Sequence, residues 1–430
     1  MLNKLFGFDP SQTTIRKEIF AGITTFLTMS YILAVNPSMF SQLEGMSSGA
    51  VFTATALAAI VGSLAMAFWG KLPFGLAPGM GLNAFFVYSV CMGMGYSWQF
   101  ALTAVLIEGL IFIVLTITNV REAIVEAIPL SLRRAIGVGI GLFITFIGFN
   151  SAGVIVNNDA TLVGLGDITS GSALLALIGL IITGLLYMRG IPGSILIGIL
   201  ITMLIGIPMG VTEFKGLVSH PESISSICCK FEWDHIFSID MLIIVFTFFF
   251  IDMFDTVGTL IGVCTKSHMV DENGNIRRLK QAFMADAIAT TVGAILGTST
   301  TTTYVESAAG VAQGGRSGLT AFSIACCFAV ALFFSPLFLS IPAAATAPAL
   351  IIVGLLMMTP ITQIPFDDFS EAVPAFVCIV MMPFSYSISN GILLGMISYV
   401  LMNMICGKFK KLTPAMYILA VLFILKYIFI

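Results

Sequence analysis

Two aspartates, Asp252 and Asp255, lie three residues apart in an otherwise apolar run, so a helix places them on one face. An acid at the centre of a membrane helix costs about 2.5–3.5 kcal/mol on insertion scales, so two on one face should line a polar cavity. Close like charges, or desolvation, favour the protonated form of a carboxyl group, which lets such a pair exchange a proton. The competing reading, stronger for Asp255 than for Asp252, is a structural carboxylate held by Thr hydroxyls or half-helix N–H groups. Glu306 follows a run of threonines and can accept N–H bonds from a ligand or be protonated in turn; a structural bond to a partner half-helix is its alternative. Asn83 offers an amide donor and acceptor, the complement of a nucleobase edge, or else packs and caps. Phe85, Phe86, Phe254 and Tyr304 could stack on a flat ring, although packing is the default in a chain with 36 Phe. Glu108 and Asp286 also fall in apolar runs, and helix–helix hydrogen bonding is the better reading for both.

The chain that must position these groups is 58% hydrophobic and only 10% charged. Soluble domains use about 25% charged residues, so this is an all-α polytopic membrane protein. Apolar segments fall near 18–36, 49–69, 73–91, 98–118, 132–149, 171–188, 191–208, 240–263, 280–297, 300–317, 319–338, 342–358, 371–386 and 388–406. An independent test is the side on which cations fall. With the N-terminus inside, Lys4, Arg16, Lys17, Lys71, Arg121, Arg133, Arg134, Arg189, Lys266, Arg277, Arg278, Lys280, Arg316, Lys408, Lys410 and Lys411 are all cytoplasmic. Only Lys215 and Lys230 fall outside, both in the long loop 212–240, and Lys426 lies in the tail. That asymmetry supports fourteen segments in a plasma (bacterial inner) membrane with a cytoplasmic N-terminus. The apolar tail 414–430 suits a docked or interfacial helix better than a fifteenth span.

The segments form a diverged duplication. Val61-Gly62 and Gly79 recur as Val292-Gly293 and Gly310, Ile128-Pro129 with Gly141-Leu142 as Ile341-Pro342 with Gly354-Leu355, and Ile195-Leu196 with Gly198 as Ile392-Leu393 with Gly395. Leu102-Thr103-Ala104 recurs as Leu319-Thr320-Ala321. Seven segments per half make the repeats inverted, an arrangement of secondary transporters whose site lies at the repeat interface. Segments three and ten are both interrupted. The third, from Pro73 to Asn83, carries two prolines and three further glycines before its polar residue, and the tenth opens on Thr298 to Thr303. Such breaks should expose backbone N–H groups and a half-helix N-terminus to a ligand. Packing is the plainer reading of the glycines.

Other classes fit less well. The net charge of −3 implies no nucleic-acid partner. The eight cysteines show no zinc or redox spacing and read as small buried residues. No small-residue cleavage site follows the first apolar run, which therefore reads as a retained span. His220, His235 and His268 all fall in loops, and the acids near the first two (Glu213, Glu222, Glu232, Asp234) lack ligand spacing, so a solvated loop is expected and no metal site. No nucleophile–base pair marks an intramembrane enzyme. An anion transporter or channel on the same scaffold is the main alternative, opposed by three acids that would repel the ligand unless protonated.

Four long blocks carry a resemblance: Thr14 to Glu18 with Ala21 to Pro37, Ala77 to Phe86, Asp252 to Leu260, and Thr303 to Val311. They are similar to AzgA-like purine permeases over nearly the whole chain. The resemblance implies proton-coupled uptake of adenine, guanine or hypoxanthine on the fold of uracil permease, with a proton as coupling ion and no other cofactor. It implies a core domain (1–119 and 240–340) and a gate domain (120–210 and 341–407); the segment pattern adds an extracytoplasmic linker (211–239) and a tail (408–430). It also implies that Asn83, Asp252, Asp255 and Glu306 meet the purine. A homodimer is suggested by that analogy alone. On the chemistry of the residues themselves, Phe85 and Tyr304 could stack beside the base, and Asp255 or Glu306 could carry the proton.

Overall fold

The computed structural model describes residues 2–118, 129–169, 171–266 and 278–429. Arg121, Arg277 and His268, and the side chain of Phe254, lie outside the described residues. In chain order the helices are α1 (Leu2–Phe6), α2 (Ile15–Met29), α3 (Ile32–Phe40), α4 (Ser48–Ala65), α5 (Met80–Ala84), α6 (Trp98–Ile117), α7 (Leu130–Ser151), α8 (Gly171–Met188) and α9 (Ser194–Gly206). The second half holds α10 (Ile239–Lys266), α11 (Leu279–Leu296), α12 (Ser307–Ala312), α13 (Gly318–Ala331), α14 (Ser335–Leu339), α15 (Ala343–Met357), α16 (Phe369–Phe384), α17 (Ile388–Ile405) and α18 (Pro414–Phe429). Short strands are β1 (Leu76–Pro78), β2 (Ile155–Asn158), β3 (Leu162–Leu165) and β4 (Thr301–Thr303). Among the described residues, nine helices, counting α2 with α3 and α13 with α14 as one each, are long and apolar enough to cross a membrane.

Local chemistry sets the boundaries. Thr14, Ser47, Ser97, Asp368 and Ser387 accept backbone N–H bonds at helix starts. Gly297, at φ 94°, ends α11 and releases the chain into the threonine run. Two features were not legible beforehand. Residues 155–165 fold into a hairpin, Ile155 opposite Leu165, whose turn is held by Asn158 Oδ1 accepting from the Ala160 and Thr161 amides. The linker is no free loop: Glu222 binds Ser47, Glu232 binds Ser97 and Thr103, the Cys229 amide donates to the Ile295 carbonyl, and Ser219 bonds both Phe333 O and Ser335 Oγ. The tail α18 is docked, with Met416, Ala420 and Phe423 buried on one face and the Phe423 ring 5.5 Å from that of Phe246 in α10.

The helices sort into two packing groups. α2, α4, α6, α11, α12 and α13 pack on one another, and α7, α8, α9, α15, α16 and α17 form the second group. The chain passes between the groups at 118–130, at 206–239 and at the short link Ser340–Ile341–Pro342.

Repeat-matched glycines occupy matched places. A Cβ on Gly141 would come within 2.5 Å of Gly354 O, and one on Gly354 within 2.4 Å of Gly141 O, so the two matched residues touch each other across α7 and α15. Gly198 packs on Thr183 of the preceding helix just as Gly395 packs on Cys378. Gly141→Ala should therefore force backbone apart at a cost of about 1–3 kcal/mol. Gly137→Ala, on the same helix with open space around it, should be neutral or stabilising. Thermal unfolding in detergent checks this: Gly141→Ala is expected to lower the midpoint by several degrees and Gly137→Ala not to lower it.

Candidate functional site

Pro73, Pro78 and the intervening glycine keep residues 73–79 from helix, and the β-branched threonines do the same for 298–303. The two stretches solve their backbone problem together. β1 and β4 pair antiparallel, Leu76 with Thr303, Ala77 with Thr302 and Pro78 with Thr301. The ladder extends at both ends, the Gly79 amide donating to Thr300 O and the Tyr304 amide to Gly75 O, each at 3.0 Å. Its outer edges are closed by hydroxyls. Ser63 of α4 accepts from the Leu76 amide at 3.2 Å, and Thr290 of α11 donates to Thr301 O at 3.0 Å. Gly62 and Gly293 let those helices come close enough, since a Cβ would meet Leu76 at 2.9 Å and Thr301 Oγ1 at 2.7 Å. Ser307 Oγ accepts from the Gly75 amide at 3.0 Å, and the Tyr304 hydroxyl donates to Pro78 O at 2.6 Å.

The run Thr298–Thr302 then distributes hydroxyls to four different helices. Thr298 accepts from Asn36 Nδ2 of α3 at 3.1 Å, and Ser299 donates to Asn83 Oδ1 of α5. Thr300 donates to Glu108 Oε2 of α6 at 2.7 Å, and Thr302 meets Thr256 of α10 at 2.7 Å. The Thr256 hydroxyl also lies 3.0 Å from Asp286 Oδ2 and 3.3 Å from Asp252 Oδ1. Glu108 and Asp286 thus bond hydroxyls, as their reading as structural acids anticipated; the partner of Glu108 is the broken segment itself and not another helix.

The candidate residues divide by accessibility. Asn83, Asp252 and Phe85 are fully buried and Tyr304 nearly so. Phe85 packs its ring 4.8 Å from Phe248. Asn83 Nδ2 has no hydrogen-bond acceptor among the described residues. Asp255 and Glu306, by contrast, are half-buried, so each keeps a solvent-facing side deep in the helix bundle. They lie within Coulombic reach of each other. Glu306 Oε1 accepts from the Tyr31 hydroxyl at 2.7 Å, and the Tyr31 and Tyr304 rings are 6.4 Å apart. Tyr31 was not singled out by sequence reasoning. It sits at the break between α2 and α3, and Pro37, one to two turns on, was the signal that the first segment is irregular. The half-helices also differ from expectation. The first amides of α12, from Ser307, Ala308 and Ala309, are spent on the carbonyls of Tyr304, Val305 and Glu306 in a tight turn, so they do not face a ligand.

Residues 16–394, which contain every group just described, match the sequence profile of the Permease family. The chain belongs to that family. This permease is 46% identical to the guanine/hypoxanthine permease PbuG of Bacillus subtilis over 443 residues, covering 100% of both chains. It is 43% identical to the adenine permease AdeP of Escherichia coli, covering 100% of this chain and 96% of that one. Among solved structures it resembles the transmembrane domain of a cyanobacterium bicarbonate transporter, BicA, with TM-score 0.66 and 15% identity over 88% of this chain and 97% of that one, a likeness of fold. Family and apolar helices together make this permease an integral membrane transporter rather than an enzyme.

The Ser307 contact gives a direct test of how the two broken segments hold together. Ser307→Ala leaves the buried Gly75 N–H without its acceptor, a loss of about 1–3 kcal/mol. The expected result is a thermal midpoint in detergent lowered by several degrees relative to the parent permease.

Proposed function

We propose that this permease imports purine nucleobases by proton symport, with guanine and hypoxanthine favoured over adenine. The observation that carries the reading is the pair Asp255 and Glu306, two carboxylates that keep solvent access at the crossing of the broken segments. The full-length likeness to permeases named for guanine, hypoxanthine and adenine supplies the substrate class. In this reading Glu306 accepts N–H bonds from the base, which suits guanine and hypoxanthine because adenine has no proton on its ring N1. The unused Asn83 amide donates to a ring or carbonyl acceptor, and Tyr304 borders the ring. Asp252, buried beside Thr256 with Asp286, supports the site from behind, and Phe85 seats the half-helix. Protonation of Asp255 or Glu306 neutralises the site when the base is aboard.

The mechanism we propose is an elevator. The fourteen segments form a 7+7 inverted repeat; the group built on α2, α4, α6 and α11–α13 is the moving core (1–119 and 240–340), and the group built on α7–α9 and α15–α17 is the gate (120–210 and 341–407). The N-terminus is cytoplasmic. One proton moving down 100 mV supplies about 2.3 kcal/mol, and each pH unit about 1.4 kcal/mol. Together they support accumulation of roughly several hundred-fold. The anion alternative draws on likeness of fold, and the site's carboxylates oppose it.

Proteoliposomes loaded with buffer and given an inward proton gradient test this with labelled hypoxanthine, guanine, adenine and uracil. The expected outcome is gradient-driven purine accumulation that a protonophore collapses, while uracil does not accumulate. Glu306→Gln should reduce accumulation to the equilibrium level; gradient-driven uptake at the parent rate in that variant removes Glu306 from the mechanism. Tyr31→Phe, which deletes a hydrogen bond to a carboxylate worth about 1.5–3 kcal/mol, should weaken transport by roughly ten- to a hundredfold.

A further inference from the structure

A groove of about 750 Å³, with none of the site's carboxylates in its lining, is formed by Val61, Leu64 and Ala65 of α4 and Phe68 and Trp69 of the turn that continues it, with Lys71, Arg278 and Gln281 at its end. Positions 61, 64, 65 and 68 form one helical stripe, about 10 Å long at 1.5 Å per residue. The stripe ends at the exposed Trp69 ring, the residue type enriched where a membrane meets water. Beyond it stand two cations and an amide, and no acid is among the lining residues. Both cations occupy left-handed backbone, Lys71 at φ 55° and Arg278 at φ 64°, which is uncommon for non-glycine residues and fixes them at the two adjoining helix ends. Lys71 Nζ is steadied by the Lys4 carbonyl at 2.7 Å, and Phe68 is backed by Phe6, with ring centroids 5.4 Å apart.

We infer that this groove binds an anionic phospholipid, its phosphate between Lys71 and Arg278, its glycerol region at Gln281 and Trp69, and an acyl chain along the α4 stripe. A soluble phosphorylated ligand would use the cations and leave an apolar stripe this long uncovered, whereas a lipid satisfies both. Basic pockets between membrane helices on the cation-rich side bind headgroups in this way. The site lies one residue from Gly62, whose neighbours are Leu76 of β1 and Thr301 of β4. Lipid in the groove therefore braces the helix that backs the strand crossing.

Purified protein in detergent is titrated with dioleoylphosphatidylglycerol, dioleoylphosphatidylcholine or inorganic phosphate, and the unfolding midpoint is read. Phosphatidylglycerol is expected to raise the midpoint by several degrees, with neither phosphatidylcholine nor phosphate matching it. The double variant Lys71→Gln/Arg278→Gln should lose at least half of that rise. An undiminished rise in the variant overturns the site, and an equal rise with inorganic phosphate assigns the cations to a soluble anion instead. Should the double variant fail to fold, native mass spectrometry of Arg278→Gln decides: phosphatidylglycerol retained at the parent level overturns the proposal, and a clear loss of bound lipid upholds it.

Discussion

Backbone polar groups in a hydrocarbon layer must find partners inside the protein, and the pairing of β1 with β4 is where this chain meets that requirement away from its helices. Each strand is three residues long and would be an exposed edge by itself. Joined, they share a ladder, and Ser63 and Thr290 close its outer sides. Everything at the candidate site hangs from that arrangement: the glycines that admit α4 and α11, the hydroxyl run that reaches four helices, and the turn that presents Glu306.

The division of the acids follows from the same constraint. Asp252, Glu108 and Asp286 have threonine hydroxyls within reach and are fully buried, whereas Asp255 and Glu306 retain solvent contact. An intramembrane carboxylate is costly unless water or hydrogen-bond donors meet it. A type and a spacing alone do not separate those that stabilise the strand crossing from those open to a ligand. Asp252 and Asp255 share a helix face, yet an offset of about 60° and one step of three residues along the axis give them different surroundings.

Much of the architecture was legible because the physics that imposes it acts on composition. The apolar segments, the two interruptions and the recurring glycines were all readable, since hydrocarbon burial, proline geometry and close helix approach leave marks on residue type. Gly141 and Gly354 matched as sequence and met as structure. What escaped was what depends on partners distant in the chain. Tyr31 matters because Glu306 is beside it, 275 positions away. The linker reads as polar and solvated, but its anchors on Ser47, Ser97 and Ser335 belong to other segments. The 155–165 hairpin was hidden because its strands are short and exposed, with no buried face to impose a period.

The three passages between the helix groups are unequal, and the inequality has a geometric result. Ser340–Ile341–Pro342 is three residues long and spans at most about 10 Å even when stretched. Ser340 is held further, its amide bonded to Pro336 O and its hydroxyl accepting from the Lys215 amide. No large offset can develop between the groups at that point. In the proposed elevator, any displacement between the groups would therefore be least beside residue 341 and grow with distance from it.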